Sequence, residues 1–322
     1  MNLASLDLNL LVALRALLEE RNVTRAGERV GLSQPAMSAA LARLRRHFGD
    51  ELLVRNGNRY ELTPLGTALH ARAESAYAML ERLFTSRADF RPATERHEFT
   101  LLSSDYAVAV FGAELARVAH AEAPGVRLRF LHVPSGIVEN ASSLLSGVDG
   151  LFMPHGVISG LPAVELYEDE WVCLVAADHP EVGDRITLDD LARLPWVVYR
   201  RPFDAPVTRQ LSMLGLEPYV DVSVQSFQLL PGLVAGTRRV ALIQRRLAGL
   251  MDGLAPVRVL PCPFEAVPLR EAMWWHPVHT HDAAHMWLRE TAARVGAGLG
   301  PAFLRGVNDR VGIAEKGVPD IS

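Results

Sequence analysis

Residues 22–46, NVTRAGERVGLSQPAMSAALARLRR, decide how the first part of this chain folds. Asn22 is a favourable N-cap for a short helix, and Gly31 then supplies a tight turn. Ser33 is a favourable N-cap for a second helix, and Pro35 is tolerated in its first turn because the N–H groups there have no helical partner. The stretch therefore predicts a helix, a turn and a second helix in direct succession.

The second helix of this pair is predicted to have one packed face and one exposed face. The inward set is Ala36, Ala40, Leu41 and Leu44. The outward set is Gln34, Ser38, Ala39, Arg43 and Arg46. A glutamine can make two hydrogen bonds to an adenine edge, a serine can bond bases or phosphates, and arginines on such a helix mainly bind phosphate. The outward face therefore suits the major groove of DNA.

The flanking sequence predicts the rest of a DNA-binding fold. Residues 6–20, LDLNLLVALRALLEE, place leucines at helical spacing and predict an amphipathic helix. Residues 51–64, ELLVRNGNRYELTP, alternate apolar residues around an Asn-Gly-Asn turn, which predicts a β-hairpin. Arg55 and Arg59 flank the tip of that hairpin, as a winged helix needs for reaching the DNA backbone or the minor groove.

Charge is distributed unevenly along the 322 residues, whose formal net charge is -4. Residues 1–66 hold nine arginines and seven acids, a net charge of +2, so the remaining residues carry a net charge of -6. Between Arg21 and Arg46, six arginines accompany a single acid, Glu28. A small basic segment is therefore joined to an acidic body, which argues against a protein that coats nucleic acid along its whole length.

The composition is that of an ordinary folded protein, with 49% hydrophobic and 22% charged residues, which excludes disorder, collagen and coiled-coil rods for most of the length. The longest uncharged stretches, such as residues 150–164, are too short and too broken by proline and glycine to cross a bilayer. The N-terminus does not read as a secretion signal. We therefore expect a cytoplasmic protein without a membrane partner, whose two cysteines, Cys173 and Cys262, are core thiols.

A long, nearly glycine-free helix is predicted from Pro64 to about Phe90. At intervals of 4, 3, 4 and 3 residues it carries a heptad seam of Leu69, Ala73, Ala76, Leu80 and Leu83. This spacing predicts a helix that pairs with a second copy of itself, and such a dimer can read two half-sites on DNA. A helix that packs only on its own domain is the alternative.

Past Arg91-Pro92, apolar strand-like runs alternate with helical runs, which is typical of a parallel α/β sheet. A second set of such runs begins at Glu170. The body of the chain is therefore expected to form two α/β lobes joined by crossing strands.

Catalytic and metal-binding patterns are scarce. The sequence has no GxSxG, no phosphate loop and no HEXXH, so we expect neither an enzyme nor a cofactor. Four histidines lie close together in the sequence, at His276, His279, His281 and His285. His281 and His285 have the spacing of a helical metal pair, but no cysteine, and no glutamate in HEXXH form, joins them, so no metal site is expected.

The first part of the chain resembles the DNA-binding domain of the LysR-type transcriptional regulators, over about residues 5–67. The stretches that carry the resemblance are LDLNLL at 6–11, RNVTRAGERVGLSQPAMSAALARLRRHFGDELLVR at 21–55 and LTPLG at 62–66. Within that family it is most similar to the branch of nodulation and aromatic-degradation regulators. The resemblance implies that Ser33, Gln34, Pro35 and Ser38 lie at the major groove and Arg55 in the wing. The full expected DNA-binding set is Arg25, Ser33, Gln34, Pro35, Ser38, Arg43, Arg46, Arg55 and Arg59.

The second part of the chain resembles the effector domain of the same branch more weakly, in SSDY at 103–106, LVAGTRRVALIQRRLA at 233–248 and MWWHP at 273–277. Family members hold their ligand in the cleft between two lobes. One departure is VDGLFMPHG at 148–156, where a more polar strand end is usual. The implied fold is an all-α winged helix-turn-helix domain at 1–64, a linker helix at 65–92 and a periplasmic-binding-protein-like α/β effector domain at 93–322, with lobe I at about 97–168 and 273–300 and lobe II at about 169–272.

The effector is expected at one edge of the sheets. Ligands of open α/β sheets bind beyond the carboxyl ends of strands and beside helix N-termini, whose N–H groups favour an oxygen acceptor or a carboxylate. Asp105 already uses part of that potential, which favours a phenolic or mixed effector over a strongly anionic one. The expected effector-binding residues are Ser103, Ser104, Asp105, Tyr106, Ser135 and Phe152, with Phe203, Ser226 and Phe227 from the second lobe.

Together these features predict a sequence-specific DNA-binding transcriptional regulator that forms a homodimer or homotetramer. Its C-terminal cleft would bind a small aromatic effector that changes oligomer geometry on double-stranded promoter DNA, and RNA polymerase is a candidate further partner. One alternative is a solute-binding or enzymatic α/β protein with an incidental helical appendage. Another is an architectural DNA protein without a ligand. The effector, the operator, the regulated genes and the direction of regulation stay open.

Overall fold

The computed structural model describes residues 7–57, 59–85, 89–200, 203 and 205–300, and within the helix at 64–85 it describes only some of the side chains. The described chain folds into two compact units. The first comprises the described residues up to 85 together with residues 142–147, and the second comprises the other described residues from 89 onward.

The first unit is a helical domain with a small hairpin. Its elements are α1 (Asn9–Glu20), α2 (Val23–Val30), α3 (Gln34–Phe48), β1 (Leu53–Asn56), β2 (Arg59–Leu62) and α4 (Pro64–Thr85). The side chain of Asn22 accepts hydrogen bonds from the backbone N–H groups of Thr24 and Arg25, and Gly31 ends α2 with a φ of 72°. Ser33 caps α3 by accepting a hydrogen bond from the N–H of Ala36. These caps confirm the predicted helix, turn and helix.

The inward face of α3 begins one residue later than the sequence predicts. The core residues include Leu14, Leu17, Leu18, Ala26, Met37, Leu41, Leu44, Leu52, Leu53 and Ala73. Ala36, which was expected to pack inward, is exposed, and Met37 is fully buried in its place. The reason is helical periodicity, because Met37, Leu41 and Leu44 follow one another at intervals of four and three residues and so share one face of α3.

Gly27 lets the turn between α2 and α3 pack against α2. The N–H of Leu32 donates a hydrogen bond to the carbonyl oxygen of Gly27 at 2.9 Å. A Cβ atom at position 27 would lie 2.7 Å from the backbone oxygen of Leu32, closer than side-chain carbons come to such atoms. Glycine is therefore required here by close backbone approach and not by an unusual φ.

The chain from residue 89 onward is mixed α/β. In chain order its elements are β3 (His97–Ser103), α5 (Asp105–Ala107), a π-helical segment (Val108–Gly112), α6 (Ala113–Glu122), β4 (Val126–His132), α7 (Ile137–Leu145), β5 (Gly150–Pro154), β6 (Ala163–Asp169), β7 (Trp171–Ala176), α8 (Leu188–Arg193), β8 (Pro195–Tyr199), α9 (Pro206–Met213), β9 (Tyr219–Val224), a 3-10 turn (Phe227–Leu229), α10 (Leu230–Val234), β10 (Ala241–Gln244), α11 (Arg245–Leu250), β11 (Val257–Pro261), β12 (Leu269–Trp274), a 3-10 turn (Pro277–His279) and α12 (Ala283–Gly298).

These strands form two lobes. Lobe I contains a five-stranded sheet of order β4-β3-β5-β12-β6, in which β3 is parallel to β4 and β5 while β12 is antiparallel to β5 and β6. Lobe II contains β7 between β10 and β11, antiparallel to both, and a parallel pair of β8 and β9. The parallel rhythm is therefore present in β3, β4 and β5, and the mixed α/β class is confirmed. Only Glu170 separates β6 of lobe I from β7 of lobe II.

Two boundaries differ from the sequence expectations. The helix α4 is described as far as Thr85, and Asp89 and Phe90 are not helical, so the helix does not reach Phe90. Pro92 disfavours helical backbone at Arg91, which is consistent with an earlier end. The strand β12 begins at Leu269, so the return to lobe I starts a few residues before the expected position. In the described part of the chain, no helix has the length and apolar character that a membrane span requires.

A Gly27→Ala substitution is expected to destabilise the α2–α3 pair by roughly 1–3 kcal/mol, because the added methyl group meets backbone atoms that cannot move independently. Native-state hydrogen exchange of the α2 and α3 amides would measure this opening free energy.

The matched control is Gly249→Ala in α11, where an added Cβ would have no neighbouring heavy atom within 4 Å. This variant should be neutral or slightly stabilising, because alanine is the better helix former. Equal effects of the two substitutions on their own helices would contradict the packing argument.

Candidate functional sites

The first candidate site is the N-terminal end of α3. Four residues at this end are exposed, as expected for a surface that meets another molecule: Ser33, Gln34, Pro35 and Ser38. Ser33 also acts as the N-cap of α3 through its Oγ atom, which accepts from the N–H of Ala36 at 3.4 Å. Its hydroxyl hydrogen remains available to donate. The surface therefore combines a serine, an amide and a second serine within six residues, 33–38.

The arginines around this surface differ in how strongly they are engaged. The guanidinium of Arg43 contacts the carboxylate of Asp7 at 3.0 Å, and that of Arg25 donates to the backbone oxygen of Glu20 at 2.9 Å. Arg46 is exposed and has no ion pair with any described residue. Among the arginines expected on the outward face of α3, Arg46 is therefore the one whose charge is not already compensated.

Arg45 was not expected as a site residue, and the structure gives it a connecting role. Its guanidinium donates to the backbone oxygens of Glu51 and Leu53 at 2.9 and 3.0 Å, and it also pairs with the Glu51 carboxylate. These contacts tie α3 to β1. The wing is thus held in a defined position next to the helix.

The wing itself is a two-stranded antiparallel hairpin in which Asn56 pairs with Arg59. Arg55 and Arg59 are both exposed near its tip. The Nε atom of Arg55 donates to the carbonyl oxygen of Gly57 at 3.1 Å, and Asn58 lies outside the described residues. The two arginines are positioned to present positive charge beyond the hairpin turn.

The residues that were expected to form a dimer seam lie on α4, and their environments differ. Leu69 and Ala73 pack in the core of the first unit, and Ala73 is buried there. Ala76 is exposed and Leu80 is half-buried. The side chain of Leu83 lies outside the described residues. The burial of Leu69 and Ala73 is thus accounted for within one protomer.

The second candidate site is a pocket between the two lobes of the α/β unit, with an empty volume of about 650 Å³ that includes space open to solvent. Its wall is mostly apolar and aromatic. It is lined by Ser104, Tyr106, Val133, Phe152, Met153, Pro154, His155, Trp171, Tyr199, Phe203, Ala205, Pro206, Val207, Phe227, Gln244, Val267, Pro268, Leu269 and Glu271. The rings of Tyr199 and Phe227 are stacked, with centroids 3.9 Å apart.

The structure brings five of the nine expected effector residues to this pocket: Ser104, Tyr106, Phe152, Phe203 and Phe227. The other four are not part of its lining: Ser103, Asp105, Ser135 and Ser226. Ser103 is buried and its hydroxyl donates to the backbone oxygen of Ser104, whereas Ser135 is exposed.

Asp105 has a structural partner in the opposite lobe. Its Oδ2 atom accepts hydrogen bonds from the hydroxyl of Ser226 at 2.7 Å and from the N–H of Gln228 at 3.1 Å. Its Oδ1 atom is buried and has no hydrogen-bond partner among the described residues. Asp105 and Ser226 therefore form a link between lobes beside the pocket.

Several lining residues were not singled out from the sequence, notably Trp171, Tyr199, Gln244 and Glu271. The only available signal was chemical, because Glu271 is a carboxylate within the otherwise apolar strand end EAMWW. The structure buries it, leaving Glu271 2% exposed. A buried acid in a strand is uncommon and marks a position with a specific task.

A second buried acid lies behind the pocket. The hydroxyl of Tyr106 donates to Oδ2 of Asp169 at 2.9 Å, and Oδ1 of Asp169 accepts from the N–H groups of Glu170 and Arg246. Burial raises the pKa of Asp169 to about 6 despite these hydrogen bonds. Burial also raises the pKa of Tyr106, and the nearby charges of Asp169 and Glu271 raise it further.

The histidines near the C-terminus have structural contacts. His285 is buried, with Nε2 at 2.5 Å from the carbonyl oxygen of Asp149 and Nδ1 at 2.7 Å from the guanidinium of Arg289. His279 stacks on it with a centroid distance of 4.9 Å, and His276 caps the turn at Pro277–His279. Among the described residues no cluster of three or more His, Cys, Asp or Glu could hold a metal ion.

A winged helix-turn-helix followed by a two-lobed α/β unit with a pocket between its lobes defines a ligand-responsive DNA-binding regulator. Residues 8–67 match the family of bacterial regulatory helix-turn-helix proteins of the lysR family, and residues 92–297 match the LysR substrate binding domain. The chain therefore belongs to the LysR family. It is a DNA-binding transcriptional regulator with an effector-binding domain, and not an enzyme.

Characterised relatives span nearly the whole chain. Nodulation protein D 2 of Rhizobium tropici is 33% identical over 293 residues, which cover 90% of this chain and 93% of that protein. Nodulation protein D 1 of Rhizobium meliloti is 31% identical over 307 residues, which cover 94% and 98%.

Solved structures show the same architecture. A probable transcriptional regulator from Pseudomonas aeruginosa superimposes with a TM-score of 0.64 at 27% identity, covering 90% of this chain and 97% of that one. Full-length CbnR, solved in complex with its target DNA, superimposes with a TM-score of 0.51 at 18% identity, covering 90% and 100%. The second likeness supports the fold alone.

The raised pKa of Asp169 predicts a pH dependence of stability. Between its ordinary pKa of 3.8 and about 6, the folded protein holds a proton that the unfolded chain releases. Raising the pH through this window therefore destabilises the folded state. Between about pH 5 and about pH 7, the free energy of unfolding of the wild type should fall by roughly 1 kcal/mol relative to that of the Asp169→Asn variant.

Urea unfolding followed by tryptophan fluorescence measures this difference, because all five tryptophans lie in the second unit. The control Asp178→Asn makes the same change at an exposed position and should keep the wild-type pH slope. An Asp169→Asn variant whose unfolding free energy has the wild-type dependence on pH would contradict the raised pKa of Asp169.

Proposed function

We propose that this regulator reads double-stranded promoter DNA with the exposed end of α3, and that a small aromatic effector bound between its lobes changes the geometry of a homodimer or homotetramer on that DNA. The observation that carries the proposal is the aromatic wall of the pocket. Planar rings bind well against aromatic side chains by offset stacking and edge contacts. The wall includes Tyr106, Phe152, Trp171, Tyr199 and Phe227.

The position of the pocket supports a regulatory use of ligand binding. Both lobes contribute to its wall, for example Phe152 from lobe I and Phe227 from lobe II. An effector that touches both lobes favours the lobe spacing at which both sets of contacts are made. It can shift the assembly only if its affinities for the two arrangements differ. Closure of the lobes around the effector would give it a higher affinity for one arrangement than for the other. RNA polymerase is a candidate partner that would contact the changed assembly.

The DNA-reading role is supported by the division of side chains on α3. Gln34 and Ser38 are exposed on the helix, and an amide or hydroxyl there can contact base edges. Arg46, Arg55 and Arg59 place charge around that surface and suit phosphate contacts, which position the protein without specifying sequence. Arg43 can join them where a phosphate displaces Asp7, since an exposed ion pair is weak.

Two substitutions separate base recognition from backbone contact. On a duplex that wild-type protein selects from a random pool, Gln34→Ala should lose about 1–3 kcal/mol of preference over random DNA. Arg46→Ala should weaken binding to both duplexes alike and lower the slope of log affinity against log salt by about 1. Fluorescence anisotropy across a salt series measures both quantities. Arg43→Ala should resemble Arg46→Ala but more weakly, and identical profiles for Gln34→Ala and Arg46→Ala would contradict the division.

The dimer is proposed to form along the part of α4 around the exposed Ala76 and the half-buried Leu80. Leu80→Asp places a charge in that seam and should yield monomers in analytical ultracentrifugation, because burying an unpaired carboxylate is strongly unfavourable. Leu254→Asp makes the same change at an exposed leucine outside the helix and should keep the wild-type assembly. If the Leu80→Asp variant sediments like the wild type, the proposed dimer interface on α4 is wrong.

A further inference from the structure

We infer that the side-chain amide of Gln244 anchors the effector by accepting a hydrogen bond from it, so that the pocket selects aromatic molecules that carry a hydrogen-bond donor on the ring. This inference rests on the proposed effector site and specifies the chemical class that the site accepts. It assigns to one residue of lobe II a selectivity that the aromatic wall does not supply.

Gln244 is the last residue of β10, and the sheet of lobe II holds it beside the aromatic wall. Its Cα partner on the antiparallel strand β7 is Trp171. Side chains of directly opposed residues lie on the same face of a sheet, with their Cβ atoms about 4.5–5.5 Å apart. Both residues line the pocket. A ring that packs on the wall near Trp171 therefore places its substituents within reach of the Gln244 amide.

The described part of the fold does not use the oxygen of this amide. Gln244 is the N-cap residue of α11, yet its side chain makes no capping hydrogen bond there. The first two N–H groups of α11 have other acceptors. That of Arg245 donates to the backbone oxygen of Glu170 at 2.8 Å. That of Arg246 donates to the carboxylate of Asp169 at 3.2 Å. The Oε1 atom of Gln244 has no hydrogen-bond partner among the described residues.

Burial makes the missing partner of this oxygen costly. Gln244 is 1% exposed, so its amide is largely removed from bulk water. A buried acceptor without a donor is unfavourable, and a ligand that supplies the donor removes that cost when it binds. The last torsion of a glutamine side chain is broad, so the amide can turn its oxygen towards a bound molecule at little cost. A ligand with a donor therefore gains binding energy here that a ligand without one does not.

Two other polar residues of the wall already contribute hydrogen bonds to the fold. The Oγ atom of Ser104 accepts from the N–H of Ala107 at 3.2 Å. The hydroxyl of Tyr106 donates to Asp169 at 2.9 Å, which uses its single proton. Gln244 differs from both because its acceptor is buried, belongs to a residue that lines the pocket and is unpaired within the described chain.

Two probes of nearly equal size test the inference on the full-length protein. The hydroxyl of 2-naphthol is a donor, whereas 2-fluoronaphthalene has a fluorine atom in its place and no proton to donate. Both are measured at neutral pH by isothermal titration calorimetry, with the protein titrated into the probe. Wild type should bind the naphthol at least about tenfold more tightly, a difference of about 1.4 kcal/mol. A pocket without an available acceptor would instead favour the fluorinated probe, because the hydroxyl loses its hydrogen bonds to water.

The Gln244→Met variant keeps an unbranched side chain of similar length and removes the amide. Its preference for the naphthol should be about tenfold smaller than that of wild type, with an unchanged affinity for 2-fluoronaphthalene. The thermal midpoint of the unliganded variant should equal or exceed that of wild type, because the substitution removes a buried polar group without a partner. A purely structural residue would show the reverse, a lower midpoint with an unchanged preference.

The matched control is Gln225→Met, the same change at an exposed glutamine of lobe II that is not part of the pocket lining. It should leave both affinities unchanged. An unchanged preference in Gln244→Met, or a wild type that binds the two probes equally or prefers the fluorinated one, would overturn the assigned role of Gln244 while leaving an aromatic effector site in place. Failure of both probes to bind wild type up to their solubility limits would instead contradict the proposed aromatic effector, and the inference about Gln244 would fall with it.

Discussion

The pairing of β12 between β5 and β6 is the constraint on which the effector unit depends. It joins residues 269–274 to strands that begin more than 100 positions earlier in the chain. The same pairing places Glu271 in the wall of the pocket, and because only Glu170 separates β6 from β7, it also sets where lobe II begins. The backbone hydrogen bonds of β12 therefore determine both the sheet of lobe I and the position of Glu271 in the pocket.

Buried carboxylates lie in or beside the aromatic wall of the pocket. The carboxylate of Asp169 accepts hydrogen bonds from the Tyr106 hydroxyl and from two backbone N–H groups, which hold these groups in place. Burial still raises the pKa of Asp169. Asp105 links the lobes through Ser226. Glu271 lines the pocket and is buried.

The DNA-binding unit was predictable from the sequence because its signals are local. The caps Asn22 and Ser33 and the turn at Gly31 act over three or four residues, and each was expected where the structure has it. The exposed positions Gln34 and Ser38 follow from helical periodicity once the cap is known. The inward face was shifted by one residue, since Met37 and not Ala36 begins the stripe, and small alanines give no clear sign of which face they occupy.

The sequence by itself determined the family, the two-part organisation, the exposed face of α3, and the placement of Ser104 and Tyr106 just beyond the end of β3. Only the tertiary structure brought Gln244, Glu271 and Trp171 into one pocket, and brought the sulfur atoms of Cys173 and Cys262, 89 residues apart in sequence, to within 4.0 Å. The physical reason is the range of the interactions involved. Caps, turns and helical faces are set by neighbours along the chain, whereas a pocket between lobes is set by strand pairings whose partners no local pattern identifies.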